Sequence, residues 1–414
     1  APGPDSQGLY DGRMKFLPHQ TYCVAALPLT CISTNNHSKG NPMKVMMTGG
    51  GTGGHVNPAL AIAGNIKQNQ PDAEIIFVGT SHGIENKLVP KEGYKLEHVE
   101  VQGFKRKLTP YNIKSAWLAF TSPLKAKKLL KEYKPDLVVG TGGYVSWPLL
   151  KAAAAMGIPT AVHESNAIPG VAVRMLAPLV DRVYVNFDAT AKALGGEIAP
   201  KVLKVGNPIK PQFASLDYDT ARKKLGVTGK YKYFLLSCGG SMGAEKVNFE
   251  MLDFMRDYGK DHPELLHIHA SGSIEYEISK KMFHDYGLEG HENLKLVEYI
   301  FDMPEEMAAA DIVVSRAGAM TLSELAVLGK CTVLIPSPHV TDNHQYKNAK
   351  VLADAGAAML FEEKDLTDDR LTKAIAGLLQ DDAKRKDMSE KIKAFALPDA
   401  NREIYLDLMK LAGK

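Results

Sequence analysis

Five glycines within six residues follow the first strongly apolar run of the sequence. The run Val45–Met47 ends in GGGTGGH, residues 49–55, and an apolar, alanine-rich pattern continues from Pro58 to Ala63. This order predicts a buried strand, a glycine loop and the start of a helix. Glycine lets backbone N–H groups approach an anion, and the positive end of the helix dipole favours negative charge there. The segment therefore predicts a cradle for a phosphate or diphosphate.

Two common phosphate-binding motifs fit this loop poorly. A P-loop needs Lys after its last glycine, but His55 follows Gly54. The dinucleotide pattern G-x-G-x-x-G is matched within residues 49–54. The second predicted strand, however, ends in Gly-Thr, residues 79–80, and lacks the acidic residue that would bind a ribose. We favour a sugar-transfer enzyme whose glycine loop faces a diphosphate.

The imidazole at the edge of the loop has two open roles. Because the positive end of a helix lowers the proton affinity of a nearby imidazole, His55 is suited to act as a neutral general base. A hydrogen-bonded loop histidine is the alternative, and the local residues favour neither role.

Composition indicates a globular protein of more than one domain. The 414 residues exceed a usual single core, and 45% are hydrophobic and 23% charged. The net charge of +3 gives no general sign of nucleic-acid binding, and the four cysteines have no zinc-site spacing. The sequence contains no run of about 18 apolar residues, so it predicts no membrane-spanning helix. Residues 1–42 lack a sustained period, so we expect a disordered or mis-assigned leader with Met43 as the functional start.

Short apolar runs alternate with helical patterns from Met43 onward. The first series is Lys44–Thr48, Ile75–Gly79, Asp136–Gly140, Thr160–His163, Val183–Asn186 and Val202–Val205. The second series is Tyr233–Cys238, Leu265–Ala270, Leu294–Glu298, Ile312–Ser315, Thr332–Ile335 and Ala358–Phe361. Such alternation predicts an α/β protein with doubly wound parallel sheets, and two series predict two Rossmann-like domains that face a cleft.

We expect the domain switch at Gly206-Asn207-Pro208, because Asn-Pro favours a turn. This gives an N-terminal domain at residues 43–206 and a C-terminal domain at residues 207–395. A last helix, within about residues 396–414, is predicted to pack back on the first domain.

Glycine or polar clusters recur just after predicted strands, where parallel sheets bind ligands. The clusters are residues 141–146 (TGGYVS), 164–166 (ESN), 239–243 (GGSMG), 315–321 (SRAGAMT) and 336–348 (PSPHVTDNHQYKN). Several such clusters in both halves favour diphosphate and sugar binding over structural turns. Asp217-Tyr218-Asp219 imitates the D-x-D of metal-dependent transferases, but we expect Asp219 to be a helix N-cap.

The segment Phe104–Lys134 combines basic residues with aromatic and aliphatic ones. The residues singled out as its candidate membrane contacts are Lys105, Arg106, Lys107, Trp117, Phe120, Lys125, Lys127 and Lys128. Basic side chains among apolar ones are typical of docking on an anionic membrane, where each contributes about 1 kcal/mol. A solvated basic helix and a nucleic-acid patch are the alternatives.

Seven motifs in one order resemble the MurG family, bacterial transferases that add N-acetylglucosamine (GlcNAc) to lipid I. They are GGGTGGHVNPALA, GTGGYVS, HESN, GNPIK, GGSMGA, SRAGAMTLSE and HQYKNA, from about Met43 to the C-terminal part of the chain. The resemblance implies the GT-B fold, no cofactor, no metal in the catalytic centre, and inversion at the anomeric carbon in one displacement. It implies UDP-GlcNAc as donor, the C4 hydroxyl of the N-acetylmuramyl sugar on undecaprenyl diphosphate as acceptor, and lipid II as product.

The same resemblance implies roles for individual residues. His55 resembles the candidate base or acceptor-orienting residue. The implied acceptor contacts are Gly50, Gly51, Gly142, Gly143 and Tyr144. The implied donor contacts are Thr52, Gly53, Gly54, Asn166, Lys210, Ser241, Ile300, Met320, Thr321, Glu324, His344 and Gln345. Among them Ile300 would hold uracil through its backbone, Glu324 the ribose, and Gln345 the hydroxyls of GlcNAc.

Three residues depart from the family pattern. Lys210 stands where proteobacterial members have Arg, which keeps the charge but loses the planar fork. Met242 stands where Gln is common, and His344 replaces the first Gln of a pair. These departures concern fine donor contacts and leave the reaction class unchanged.

A lipid-linked acceptor gives the basic segment a role, so we expect a peripheral protein on the cytoplasmic face of the plasma membrane. The expected partners are UDP-GlcNAc, lipid I, the anionic membrane surface and other cell-wall synthesis proteins, and no nucleic acid. Two other classes stay open. One is another GT-B enzyme, such as a diacylglycerol glycosyltransferase or a UDP-GlcNAc 2-epimerase. The other is a non-catalytic nucleotide-sugar-binding protein.

Overall fold

The structure is a computed structural model that describes residues 42–103 and 110–414. The candidate membrane residues Lys105, Arg106 and Lys107 lie outside the described residues, as does the expected leader up to residue 41.

A seven-stranded parallel sheet forms the first half, in the order β3-β2-β1-β4-β5-β6-β7. Its strands are β1 (Lys44–Thr48), β2 (Glu74–Gly79), β3 (Lys95–His98), β4 (Leu137–Gly140), β5 (Thr160–Glu164), β6 (Arg182–Val185) and β7 (Val202–Lys204). Its helices are α1 (Gly53–Asn69), α2 (Glu85–Lys91), α3 (Pro110–Tyr133), α4 (Ser146–Ala155), α5 (Val171–Leu176) and α6 (Asp188–Leu194). The central strands are almost wholly apolar and buried, because helices cover both faces of the sheet.

A six-stranded parallel sheet forms the second half, in the order β10-β9-β8-β11-β12-β13. Its strands are β8 (Tyr233–Cys238), β9 (Leu265–Ala270), β10 (Leu294–Val297), β11 (Ile312–Ser315), β12 (Cys331–Leu334) and β13 (Met359–Leu360). The helices from here on are α7 (Pro211–Ser215), α8 (Tyr218–Lys224), α9 (Glu245–Asp257), α10 (Tyr276–Asp285), α11 (Met303–Ala309), α12 (Ala319–Leu328), α13 (His344–Asp354), α14 (Arg370–Gln380), α15 (Asp382–Lys393) and α16 (Ala400–Leu411). The predicted pair of doubly wound parallel sheets is confirmed.

The last helix, α16, packs against the first sheet's core rather than the second's. Ile404 and Leu408 are fully buried in that core. Asp407 accepts hydrogen bonds from Arg182 Nε at 3.1 Å and from Tyr184 OH at 2.7 Å, both on β6. Within the described ranges, no helix has the length and apolar character needed to cross a bilayer.

Two sequence-based expectations need correction. The edge strand β3 was not predicted, because its sequence KLEH is polar and only partly buried. The N-cap of α8 is Asp217 and not Asp219. Asp217 has extended backbone and its carboxylate accepts from Thr220 N at 2.9 Å, whereas Asp219 already lies inside the helix.

A fully buried polar cluster lies between β8, β9 and α9. Ser237 Oγ lies 2.8 Å from His267 Nε2 and 2.8 Å from His269 Nδ1. His269 Nε2 pairs with Asn248 Oδ1 at 3.1 Å, and Asn248 Nδ2 donates to the carbonyl of Ser271 at 2.9 Å. Burial lowers the pKa of His269 to about 4 and that of His267 well below its usual range. Both imidazoles are therefore neutral in the folded protein.

These neutral imidazoles predict a loss of stability in acid. An unfolded chain protonates a histidine with a pKa of about 6.5, so the free energy of unfolding falls as the pH drops below that value. For His269 the fall continues down to its folded pKa of about 4. We expect each buried imidazole to account for on the order of 2 kcal/mol of the loss between pH 7 and pH 5.

Urea unfolding of the wild type and of His269→Gln at pH 7 and pH 5 tests this expectation. The variant should lose less stability on acidification by about the amount of one imidazole. The control is His284→Gln at an exposed site, where a hydrogen bond to Glu289 raises the pKa of His284. That change should not reduce the loss. Equal losses in wild type and His269→Gln would contradict the argument.

Candidate active site

Two glycine loops at the carboxyl edge of the first sheet touch each other. The first loop, residues 49–52, joins β1 to α1, and the second, residues 141–145, joins β4 to α4. A Cβ on Gly49 would lie 2.1 Å from Thr141 Oγ1, and a Cβ on Gly143 would lie 2.5 Å from the carbonyl oxygen of Gly50. Only glycine permits this approach, so the structure brings together the residues expected to face an acceptor diphosphate.

Tyr144 closes the outer side of this loop pair. Its ring is partly exposed, and a Cβ on Gly51 would lie 3.3 Å from it. A Cβ on Gly103 would lie 3.4 Å from the same ring. The ring therefore covers the first loop and contacts the segment that leads toward α3.

His55 lies in the first turn of α1, with its ring over the second loop. A Cβ on Gly142 would lie 2.9 Å from His55 Cδ2. His55 Nδ1 is 3.1 Å from Thr52 Oγ1, and the His55 carbonyl accepts from Thr141 Oγ1 at 2.6 Å. Contacts at Nδ1 and at the main chain fix the ring, and Nε2 is the nitrogen left to meet a substrate.

The environment keeps the His55 imidazole neutral. Burial and, as a smaller cause, the nearby His344 imidazole from the second half together lower the pKa of His55 to about 4. A hydrogen bond to the Gly50 backbone opposes the shift. Sequence reasoning gave the direction of this shift from the helix dipole alone, whereas desolvation is its largest cause.

The second half contributes a glycine loop of its own. Residues 239–244 join β8 to α9, and Ser241 and Met242 in this loop are exposed. A Cβ on Gly243 would lie 2.2 Å from the carbonyl oxygen of Ser271. The Ser241 carbonyl accepts from Ser273 N at 3.2 Å. Packing against the loop after β9 therefore fixes the backbone beside the Ser241 hydroxyl.

The start of α12 lies at the same edge of the second sheet. Met320 and Thr321 are in its first turn and are partly exposed, and Glu324 follows one turn later. Burial raises the pKa of Glu324 to about 7, and the positive charge of Lys210 opposes the shift. Lys210 and Glu324, far apart in sequence, are therefore electrostatic neighbours. Ile300 follows β10, and its side chain is buried in the second core.

The first turn of α13 holds two predicted donor contacts, His344 and Gln345. Asp342 and Asn343 precede it with left-handed backbone (φ 55° and 50°), an uncommon conformation for residues other than glycine. His344 Nδ1 lies 2.8 Å from the Thr341 carbonyl oxygen. Gln345 Oε1 accepts from Ser337 N at 2.9 Å. The two side chains thus tie the proline-rich loop after β12 to the start of α13.

Asn348 joins α13 to the loop after β5 in the first half. Its Oδ1 accepts from Ala167 N at 2.8 Å and its Nδ2 donates to Asn166 Oδ1 at 3.1 Å. Asn166 is held in turn by Glu164, whose Oε1 accepts from both the backbone and the side-chain nitrogen of Asn166 at 3.0 Å. Asn166 therefore contacts α13, the helix that also carries Gln345, although the two residues are 179 positions apart in sequence.

Sequence reasoning missed one residue of this site, Glu85. It is the first residue of α2, and its carboxylate accepts from Gly51 N in the first glycine loop at 3.0 Å. No motif marks it, because its partners come from other segments. The surrounding glycines, Gly79 and Gly83, are its only local signal.

Two family models match the chain. The glycosyltransferase family 28 N-terminal domain matches residues 45–185, and the glycosyltransferase family 28 C-terminal domain matches residues 234–404. The two matches contain the two sheets, apart from β7 and the first residues of β1 and β8.

Curated relatives match almost from end to end. A protein from Acetivibrio thermocellus is 44% identical over 372 residues, which cover 89% of this chain and 99% of the relative. It is named UDP-N-acetylglucosamine–N-acetylmuramyl-(pentapeptide) pyrophosphoryl-undecaprenol N-acetylglucosamine transferase. A protein of the same name from Bacillus cytotoxicus is 37% identical, and the match covers 90% of this chain and 100% of the relative.

Solved structures agree with this relationship. MurG from Acinetobacter baumannii superposes with a TM-score of 0.71 at 27% identity, over 89% of this chain and 100% of that chain. UDP-GlcNAc 2-epimerase from Neisseria meningitidis superposes with a TM-score of 0.61 at 15% identity, over 89% of this chain and 100% of that chain, a likeness of fold alone. The predicted GT-B fold is confirmed.

The geometry around His55 predicts a titration that NMR can follow. At pH 5 we expect about a tenth of the His55 rings to be protonated, because burial holds its pKa near 4. His344→Gln removes the neighbouring imidazole and should raise the His55 midpoint. His339→Gln, on the loop before α13, is the matched control and should leave that midpoint unchanged. A His55 midpoint near 6.5 in the wild type would contradict the described environment.

Proposed function

The chain belongs to glycosyltransferase family 28 and, within it, to the MurG family, and we propose that it transfers GlcNAc from UDP-GlcNAc to lipid I. The products are lipid II, the disaccharide precursor of peptidoglycan, and UDP. The observation that carries this conclusion is 44% identity over 99% of a transferase with that donor and acceptor in its name. The enzyme is an inverting hexosyltransferase.

In the reaction, the C4 hydroxyl of the muramyl sugar attacks the anomeric carbon of GlcNAc. The new C–O bond forms as the bond to the UDP oxygen breaks, and the hydroxyl proton passes to a base. We assign this base to Nε2 of His55, because Thr52 Oγ1 lies 3.1 Å from the other ring nitrogen, Nδ1. A neutral imidazole at pH 7 is ready to accept the proton.

With a pKa of about 4, His55 is a weak base, but binding of the acceptor raises this pKa. The diphosphate of lipid I would lie against Gly50, Gly51 and the loop 142–144, in contact with the His55 ring. Its negative charges favour the imidazolium form and raise the pKa of His55 toward neutrality. The proton affinity of His55 therefore rises when the acceptor is in place.

The donor occupies the second half of the cleft in this proposal. UDP leaves as a diphosphate, and the loop around Ser241 together with the first turn of α12, Met320 and Thr321, stabilises its charge. Glu324 accepts from the ribose hydroxyls, and Lys210 adds a positive charge beside it. Ile300 holds uracil through its backbone.

Donor-sugar recognition falls to the junction of the two halves. Asn348 fixes the Asn166 loop against α13, the helix that carries His344 and Gln345. GlcNAc is therefore held by Asn166, His344 and Gln345 together. Thr52, Gly53 and Gly54 approach the donor from the start of α1. The acceptor and membrane functions belong to residues 43–206 with the last helix in this proposal. The remaining donor contacts belong to residues 207–395, so the first half adds only Thr52, Gly53, Gly54 and Asn166 to donor binding.

A glycolipid transferase, an epimerase and a non-catalytic sugar-nucleotide-binding protein are the competing functions. The epimerase likeness is one of fold, at 15% identity. An epimerase acts on a soluble sugar nucleotide and would gain nothing from an apolar surface on α3. Turnover of lipid I would distinguish the proposed activity from all three of these functions.

Transfer of radiolabelled GlcNAc from UDP-GlcNAc to a lipid I analogue, in EDTA, tests the proposed reaction. We expect product from the wild type and a loss of about 10²–10⁴-fold in kcat for His55→Ala, the usual contribution of a general base. His284→Ala, an exposed imidazole on α10, is the control and should keep full activity. Binding of UDP-GlcNAc without product would point instead to another acceptor or to a binding protein.

The exposed side of α3 supports membrane docking. Ile113, Trp117, Phe120 and Leu124 follow one another at helical spacing and are 74%, 65%, 79% and 66% exposed. The opposite side, which includes Ser122, Ala126 and Leu130, is buried against the first half. A wholly apolar stripe on the solvent side of a helix marks an interaction surface.

Basic residues continue that apolar stripe. At about 100° per residue, Lys127 and Lys128 lie on the same side of α3 as Leu124, one turn further along. Both are exposed, as is Lys125 beside them. Apolar side chains followed by lysines on one side fit an anionic bilayer, with the helix lying in the interface. We place the protein on the cytoplasmic face of the plasma membrane, with other cell-wall synthesis proteins as further partners.

Sedimentation with vesicles that contain anionic lipid tests this surface. Charge reversal at Lys125, Lys127 and Lys128 should weaken binding by roughly tenfold or more, because each lysine contributes about 1 kcal/mol near such a surface. The matched control reverses three exposed lysines elsewhere, Lys223, Lys384 and Lys386, for the same change in net charge. Equal binding by the two triple variants would reject α3 as the docking surface.

A further inference from the structure

A buried carboxylate holds the first glycine loop from below. Glu85 is 1% exposed. Its Oε1 accepts from Thr80 N at 3.0 Å and from Thr80 Oγ1 at 2.9 Å, at the end of β2. Its Oε2 accepts from Gly51 N at 3.0 Å, in the loop after β1. One side chain therefore ties the ends of two neighbouring strands to each other.

The carboxylate of Glu85 lies where side chains on the neighbouring glycines would collide with it. A Cβ on Gly50 would lie 2.7 Å from the Glu85 carboxyl group, and a Cβ on Gly79 would lie 2.6 Å from Glu85 Cγ. A Cβ on Gly83 would lie 1.9 Å from Oε2. Three glycines from three segments thus enclose the side chain, and the path of the loop at residues 50–51 depends on where the carboxylate lies.

The hydrogen bonds keep Glu85 ionised although it is buried. Desolvation raises the pKa of Glu85, but hydrogen bonds from Thr80 and Gly51 hold it below its usual value. A negative charge beneath a loop that should receive a diphosphate is unfavourable by itself. It also occupies the Gly51 N–H, so this amide donates to Glu85 and not to a ligand. Glu85 must therefore act by positioning the loop backbone, although its negative charge disfavours a diphosphate bound nearby.

We propose that Glu85 is a positioning residue for the lipid-linked diphosphate. It fixes the backbone at Gly50 and Gly51 against the loop 142–143, and so sets the shape of the cradle and the position of His55 above it. This inference rests on the proposed function, because it assigns the acceptor and not the donor to Gly50 and Gly51. Glu85 itself touches neither substrate nor the reacting atoms.

Two substitutions separate the reach of the carboxylate from its charge. Glu85→Gln keeps the shape but loses the charge and places an amide donor opposite either Thr80 N–H or Gly51 N–H. Glu85→Asp keeps the charge but shortens the side chain by one methylene, so it cannot span both partners. If position is what matters, both variants raise KM for a lipid I analogue by about tenfold or more and lower kcat. KM for UDP-GlcNAc should stay within about twofold of the wild type.

Asp181 provides a matched control in the same sheet. Its Oδ2 accepts from Thr160 N at 2.9 Å and Thr160 Oγ1 at 2.8 Å, the same pair of bonds that Glu85 makes with Thr80. Thr160 begins β5, at the sheet edge opposite the cleft. Asp181→Asn should lower the melting temperature, as we also expect of the Glu85 variants, without changing KM for the acceptor. The same acceptor KM in Glu85→Gln and Asp181→Asn would reduce Glu85 to a structural residue and overturn the proposal.

Two further measurements complete the test. Gly83→Ala leaves Glu85 intact but displaces its carboxylate, and it should reproduce the acceptor defect of Glu85→Asp. A defect confined to Glu85→Gln would mean that the charge acts and the position does not, which contradicts the proposal. Hydrogen exchange at the Gly51 amide needs no turnover and should quicken in Glu85→Asp, whose shorter side chain cannot reach both partners. Failure of the proposed function is recognised separately, because then the wild type itself makes no lipid II.

Discussion

The whole site depends on one constraint, that irregular loops at a buried sheet edge must still find partners for their backbone N–H groups. Parallel strands place these loops side by side, where no ladder continues to pair them. Here polar side chains from other segments take over. Glu85 accepts from Gly51, Glu164 from Gly170, Asn348 from Ala167 and Gln345 from Ser337. The loops are rigid enough to shape a ligand site because of these bonds, and the glycines are needed because the loops also pack backbone against backbone.

The architecture could be predicted because its signals are local. Runs of apolar residues between glycine-rich turns mark the strands of both sheets, and β8, β9 and β11 have the bounds that their sequence predicts. The polar edge strand β3 carried no such signal, since an edge strand needs less burial. The loops of the site were found for the same reason, because each glycine cluster directly follows an apolar strand.

The bonds that hold these loops could not be predicted, because they join segments that the sequence keeps apart. Glu85 is 34 residues from Gly51, and Asn348 is 181 residues from Ala167. The residues next to Glu85 and Asn348 in the sequence give no sign of which distant residue each one contacts. Electrostatic neighbours are hidden in the same way, since His344 acts on His55 and Lys210 on Glu324 across the fold. The departure at His344 therefore matters beyond the predicted donor contact, because a Gln there carries no charge that would lower the pKa of His55.

The proposed membrane surface and the proposed acceptor loop are connected through α4. This helix begins directly after the loop 142–144 and packs along α3, whose other side carries the exposed apolar stripe. A lipid-linked diphosphate cannot move far from the bilayer surface, so its cradle must lie close to the docked helix. A single connecting helix satisfies that requirement without any movement of the first half. The donor is soluble and needs no such link to the bilayer. The second half is joined to the first through the Asn348 contacts and also through Ser323, whose Oγ lies 3.5 Å from Asn186 Oδ1.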